Sequence, residues 1–297
     1  MEKANHYFPV LNKIMLIDSH AHLNFNTFKE DVDEVIKRAL ENNIWVINIG
    51  SQYSTSKRAV EIAQKYENGV YAAVGLHPIH LEDRKIDHSE VDSQIVFKTR
   101  AEDLDYEKYK ELAQNPKVVA IGEIGLDYWY KPKTKKKLEE FKEKQKEAFL
   151  KQLSLAKDSN LPVILHCRLA HDDLTEILNY KLKTKNYKLE GVIHCFTGNE
   201  KQAQKYLDLG FYLGFTGLIF KKIEGVPDWQ EIIKKLPIEK ILIETDCPYL
   251  TPPPFENQRN EPLYVKYIAQ KIAEIKNISY EEIAETTTQN AKKLFKI

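Results

Sequence analysis

Residues 161–168 read LPVILHCR and residues 191–198 read GVIHCFTG; in each, a short apolar run ends on a histidine. Apolar runs of this length bounded by turn-formers read as buried strands, and a buried strand covered on both faces belongs to a parallel sheet. Working outward in both directions, the chain holds eight such runs: Met15 to Asp18, Ile44 to Ile49, Val70 to Val74, Val118 to Ile121, Pro162 to Leu165, Gly191 to Ile193, Phe211 to Gly214 and Ile241 to Glu244. Segments of helical period separate them. Val32, Val35, Ile36, Ala39 and Leu40 recur at helical spacing, as do Leu138, Phe141, Ala148, Leu153 and Ala156, and Val265, Ile268, Ala269, Ile272 and Ala273. Eight strands with interleaved helices predict an α/β fold, a closed (β/α)8 TIM barrel, and 297 residues fit one slightly elaborated barrel of about 250. Residues 15–297 are assigned to that barrel and 1–14 to an N-terminal extension. The polar, weakly periodic stretch from Glu82 to Asp105 reads as an elaborated loop at the barrel mouth.

Composition narrows the classes. Hydrophobic residues at 42% and charged residues at 30% indicate a globular chain, and no apolar run reaches the roughly 18 residues of a membrane span. The N-terminus lacks the order of a signal peptide, so a cytoplasmic location is the default expectation. Lys and Arg number 44 and Asp and Glu 44, which excludes a global positive field for coating nucleic acid. A site that captures one or two phosphates at metal ions needs no such field. Cys167, Cys195 and Cys247 are too few and scattered for a disulfide framework. Each directly follows a candidate site residue, so strand alternation turns it away from the site as a buried filler.

The strongest local signal for chemistry is Asp18-Ser-His20-Ala-His22, since two His at i and i+2 of a strand project to one side and reach one cation. Glu123, His166, His194 and Asp246 fall at or just past the ends of the fourth, fifth, sixth and eighth runs. In a parallel barrel those ends converge on the rim where active sites lie. Four His and two carboxylates exceed the ligand set of one structural zinc and suit two divalent ions. A carboxylate has two oxygens, so Glu123 is the expected bridge, with His20, His22 and Asp246 on one ion and His166 and His194 on the other. Mixed N/O ligation fits Zn, Mn or Mg. Such ions acidify water for hydrolysis, and Asp246 is placed to accept or orient its proton.

With IDSHAHLN, GLHP, GEIGLDYW, LHCR, HCFTG, ETDCPYLTP and RNEP in this order from Met15 onward, the chain resembles the TatD-related deoxyribonucleases of the amidohydrolase superfamily. That resemblance implies metal roles for His20, His22, Glu123, His166, His194 and Asp246, a substrate or phosphate role for His77, and metal-dependent hydrolysis of DNA phosphodiesters, often from the 3′ end. DNA, as single strands or frayed ends, is the expected partner, with no obligatory protein partner. Two departures stand out: Leu169 follows Arg168 where the family usually carries an acidic residue, and the 82–105 insertion is longer than usual. The rival readings are an aminoacyl-tRNA deacylase or lactonase on the same site, and a noncatalytic barrel.

Around the rim, Tyr128 and Trp129 are candidate platforms for unpaired bases, and Arg168 and Arg259 are candidate phosphate binders through their forked guanidinium groups. Lys131, Lys133, Lys135, Lys136 and Lys137 read as a solvated helix start. Glu244 shares the face of Asp246, and Asn260 with Glu261 is expected to brace the last loop.

Overall fold

A computed structural model describes residues 14–86, 97–184 and 189–297. The N-terminal extension assigned to 1–14 therefore lies outside the described residues except at its last position. Eight strands form one parallel sheet: β1 (Leu16–Ala21), β2 (Ile44–Ile49), β3 (Val70–Val74), β6 (Val118–Asp127), β7 (Val163–Arg168), β8 (Gly191–Ile193), β9 (Tyr212–Phe215) and β10 (Ile241–Ile243), hydrogen-bonded in that order. The first and last strands meet through a parallel bridge of Ala21 with Cys247, where His22 N donates to Cys247 O at 2.8 Å and Asp246 N to His20 O at 2.9 Å. This is the barrel the apolar runs predict. The remaining strands, β4 (Arg84–Ile86) and β5 (Phe97–Thr99), pair antiparallel, so the ends of the stretch expected to be a loop form a hairpin. Arg84 anchors it to the mouth by donating to Tyr130 O at 3.1 Å.

Helices follow the strands: α1 (Val32–Glu41), α2 (Tyr53–Ala63), α3 (Tyr106–Ala113), α4 (Lys135–Ser159), α5 (His171–Thr184), α6 (Glu200–Asp208), α7 (Trp229–Lys235), α8 (Val265–Lys276) and α9 (Tyr280–Phe295). The stripe Val265, Ile268, Ala269, Ile272 and Ala273 is wholly buried on α8, as its spacing predicts. No helix among the described residues is long and apolar enough to cross a membrane. Inside the barrel, Ile17, Ile47, Ala73, Ile164, Val192 and Leu242 form one buried layer, which Ala291, Leu294 and Phe295 of α9 join. On three strands a period of two then determines what stands above that layer, while the register of β1 shifts between Asp18 and Ala21, where His20 lies. Ile164 puts His166 on the same face, Val192 puts His194 there, and Leu242 puts Glu244 there.

Strand β6 is buried along all ten residues and runs to Asp127, well past the expected end at Ile121. Its register against β7 shifts between Ile121 and Ile124, and Glu123 lies within that irregularity. Gly125 has φ +146°, and a Cβ there would fall 2.0 Å from the His166 carbonyl oxygen, a backbone atom. Gly125→Ala is accordingly expected to cost roughly 2–5 kcal/mol from a strained dihedral and overpacking together. Urea unfolding measures it, and an unchanged midpoint would contradict so close an approach of β6 to β7.

Candidate metal centre

Five imidazoles surround one carboxylate at the mouth of the barrel. Glu123 Oε1 lies 2.8 Å from His166 Nδ1, 3.4 Å from His77 Nε2 and 3.7 Å from His194 Nε2. Its other oxygen, Oε2, lies 3.5 Å from His20 Nε2 and 3.8 Å from His22 Nε2. The two oxygens thus divide the histidines into two groups. Asp246 stands across from Glu123, its Oδ1 3.4 Å from His22 Nε2 and 3.8 Å from both His20 Nε2 and His194 Nε2. All six residues expected as metal ligands are brought together, with His77 beside them. His20, His22 and Asp246 converge on one point, as do His20, Glu123 and His194. His166 and His194 reach the same Glu123 oxygen from two sides.

The backbone fixes several of these rings. His22 Nδ1 faces Ile49 O at 2.9 Å, which requires its proton on Nδ1 and leaves the Nε2 lone pair for the cavity. His77 is arranged the other way: its Nδ1 accepts from Ile79 N at 3.0 Å, so its Nε2 carries the proton. His77 therefore faces Glu123 as a hydrogen-bond donor. His194 Nδ1 lies 2.9 Å from Glu244 Oε1, close enough for a charge contact but without a well-aligned hydrogen bond. Glu244 is fully buried, accepts from Ser19 Oγ at 3.2 Å and Cys195 N at 2.5 Å, and occupies a cradle that a Cβ on Gly214 would fill, only 2.6 Å from its Oε2. The last loop is pinned through Thr245, whose N and Oγ1 donate to Asp18 at 2.9 and 2.5 Å, and through Asn260, whose Nδ2 donates to Thr245 O at 3.0 Å. That is the bracing expected of Asn260. Glu261 pairs instead with Arg38, at 2.6 Å.

The electrostatics of the cluster bears on what it could hold. Burial and the neighbouring His194 push His20 down to about 4, and burial likewise lowers His77. In His194, burial is outweighed by Glu244, Asp246 and Glu123, which lift it to about 10. Burial works against the charge on Glu123 and Asp246, yet the surrounding histidines hold both below the usual carboxylate range. The Nε2 atoms of His20 and His22 are 3.2 Å apart, the His20 and His194 rings stack at 3.5 Å, and His20 Nδ1 has no hydrogen-bond partner. Imidazole nitrogens crowded this closely around ionised carboxylates are a donor set for divalent cations, whose binding displaces the proton the carboxylates hold on His194, and the residues fit that group.

Asp127 was not singled out from the sequence. It is buried, with Oδ2 3.2 Å from His166 Nε2 and both oxygens on Arg168. The signal was its place in β6, four residues beyond Glu123, but the apolar run had ended at Ile121.

Several expectations need correction. Tyr128 is buried, its hydroxyl donates to Asp173 at 2.8 Å and its ring packs near Phe141, so it offers no face to a base. Arg259 is bound to Asp31 at 2.5 and 3.0 Å and to Thr27 O at 2.6 Å, with its guanidinium over Phe28, so its donors are engaged away from the cavity. Arg168 is paired with Asp127 at 2.9 Å, which places it as a rim group rather than a separate phosphate fork. Trp129 is 48% exposed and lies against Arg168, whose guanidinium is 5.3 Å from its ring, and Leu169 beside them is exposed. Cys167 is a buried filler on β7 as alternation requires, and Cys247 is buried although it lies past the end of β10 and follows the positive φ of Asp246, but Cys195 has φ +43°, which turns its sulfur toward His194 and Asp246. Burial above all, and then Asp246, push its thiol well up.

Residues 17–296 match the family described as TatD related DNase. A Bacillus subtilis (strain 168) protein named uncharacterized metal-dependent hydrolase YabD is 42% identical over 285 residues, 95% of this chain and 100% of that protein. The Escherichia coli (strain K12) protein named 3'-5' ssDNA/RNA exonuclease TatD is 33% identical over 288 residues, 95% of this chain and 99% of that one. Among solved structures, the TatD homologue YJJV of Escherichia coli K12 superposes with a TM-score of 0.79 at 29% identity, covering 96% of this chain and 99% of that one.

Proposed function

The chain belongs to the TatD-related DNase family of metal-dependent hydrolases, and from that premise we propose that it is a nuclease hydrolysing DNA phosphodiester bonds from the 3′ end of single strands or frayed ends. The observation that carries the reading is the division of the histidines between the two oxygens of Glu123, which suits two cations held side by side. His20, His22 and Asp246 would hold one, His166 and His194 the other, with Glu123 between them. When bound, two divalent ions supply Lewis acidity toward the scissile phosphoryl group and bring the pKa of water from 15.7 toward about 7. The protein's own groups do the rest. Asp246, held ionised at neutral pH by the neighbouring histidines and with its side chain 15% exposed where Glu123 has 5%, accepts the proton of the attacking water. His77 presents Nε2–H to a non-bridging phosphate oxygen, a neutral donor held in its tautomer by Ile79 N. The exonuclease name of the Escherichia coli relative favours single-stranded ends as substrate.

The test is release of nucleotides from single-stranded oligonucleotides labelled at either end, with Mg²⁺, Mn²⁺ or Zn²⁺ supplied in turn. Progressive shortening of 5′-labelled strands is expected; no release with any of these ions would end the nuclease reading and leave an ester or amide substrate for the same site. Trp129 gives a second handle. Stacking of a base on an exposed ring contributes about 1–3 kcal/mol, so Trp129→Ala should raise KM roughly 5- to 150-fold and leave kcat nearly unchanged. Steady-state kinetics on a short single-stranded substrate decides it, and an unchanged KM would remove Trp129 from the substrate path.

A further inference from the structure

We propose that Asp127 is a positioning residue that fixes the ring of His166 and so selects which of its nitrogens faces the metal site, and that it is not itself a ligand. This rests on the proposed metal-dependent reading of the centre. The imidazole of His166 lies between two carboxylates, its Nδ1 2.8 Å from Glu123 Oε1 and its Nε2 3.2 Å from Asp127 Oδ2. One ring nitrogen therefore faces the carboxylate shared by the histidine cluster and the other faces Asp127. With the Nε2 proton donated to Asp127, the Nδ1 lone pair points at the space shared with Glu123. A carboxylate behind a ligating histidine in this way fixes its tautomer and raises its basicity.

His77, Asp127 and His166 also place ligand atoms close together, which invites the opposite assignment, a cation held by Asp127 itself. The hydrogen bonds of Asp127 argue against it. Oδ1 accepts from Trp129 N at 2.9 Å and Arg168 Nε at 3.2 Å, while Oδ2 accepts from Arg168 Nε at 3.0 Å and lies 2.9 Å from Arg168 Nη2, besides facing His166. Both oxygens are taken up by N–H donors, and a cation there would sit against a guanidinium. The backbone of Asp127 is equally held: its N–H donates to Gln145 Oε1 at 2.7 Å and its carbonyl accepts from Gln145 Nε2 at 2.8 Å. Gln145 is buried on α4, so that helix locks the end of β6. The carboxylate that orients His166 also seats Arg168 under Trp129 and fixes the Trp129 backbone. One buried group thus joins the candidate metal centre to the exposed rim.

The experiment uses the full chain. Metal-free wild type and Asp127→Asn are titrated with Zn²⁺ and with Mn²⁺ against a chromophoric chelator. Asp127→Asn is expected to weaken one of two bound ions about 10- to 100-fold, the range for groups behind a ligand, while two ions still bind at saturation. In a His166→Ala background the same substitution should cost nothing further, whereas a merely structural role of Asp127 would persist there. Unchanged affinity, or one ion fewer at saturation, overturns the proposal, the latter by making Asp127 a ligand. A measurement on the unaltered protein covers the case in which the variant does not fold. In the ¹¹³Cd²⁺-loaded, ¹⁵N-histidine-labelled wild type, His166 should show coupling to cadmium at Nδ1 and a proton on Nε2; coupling at Nε2 overturns the assignment. Wild type that takes up no ion refutes the metal reading and this inference together; wild type that takes up two while the variant matches it refutes this inference alone.

Discussion

Glu123→Ala is expected to abolish hydrolysis and to weaken metal binding about 150- to 5,000-fold, while the barrel stays folded. The magnitude follows from what the carboxylate does. It is buried among His20, His22, His77, His166 and His194 at 2.8 to 3.8 Å, and it is the shared anion of that group. Removing one partner of a buried charged pair costs about 3–5 kcal/mol, and each 1.36 kcal/mol is tenfold in affinity. Two cations placed side by side without the anion between them would also repel each other, so the loss falls on both. The fold should survive because, without metal, the histidines can relax by losing protons, and the apolar layer beneath them is untouched. Metal content by mass spectrometry, nucleotide release and thermal unfolding of one preparation test the three parts separately. Wild-type metal content and turnover in Glu123→Ala would refute the bridging role.

How much of this could be read from the chain depends on which residues obey a simple period. His166 and His194 could be found because each sits two residues beyond an inward apolar residue, Ile164 and Val192, and a strand alternates faithfully over that distance. Strands β2, β3 and β8 have the bounds that their apolar runs set. The pattern fails where the backbone leaves the regular strand. Cys195 was expected to turn away from the site, but its positive φ turns it back. Asp127 lay hidden because β6 continues past a register shift through GEIGLD, beyond the Ile121 at which its apolar run ends. Exposure and pairing were not legible at all. Tyr128 and Trp129 are adjacent aromatics, yet one is buried against Phe141 and the other is exposed beside Arg168. Arg168 and Arg259 look alike as free cations, and only the fold brings Asp127 to one and Asp31 to the other.

Asp246→Asn separates proton transfer from metal binding, and it is expected to lower kcat by about 10²- to 10⁴-fold at saturating metal, the usual contribution of a positioned general base. Asn suits the position sterically. Residue 246 has φ +56°, a left-handed conformation that Asn adopts more readily than most residues, so little strain is added. The backbone anchors also persist, since Asp246 N donates to His20 O at 2.9 Å and its carbonyl accepts from Tyr249 N at 3.0 Å whatever the side chain carries. The amide oxygen can still face His22 Nε2, as Asp246 Oδ1 does at 3.4 Å, so a cation on that side is weakened but not lost. What the amide cannot do is take a proton. A large fall in kcat with two ions still bound assigns the proton to Asp246. If kcat were restored simply by raising the metal concentration, the carboxylate would be a ligand alone and the proton would have to leave by another group, with His77 disfavoured because its Nε2 already carries one.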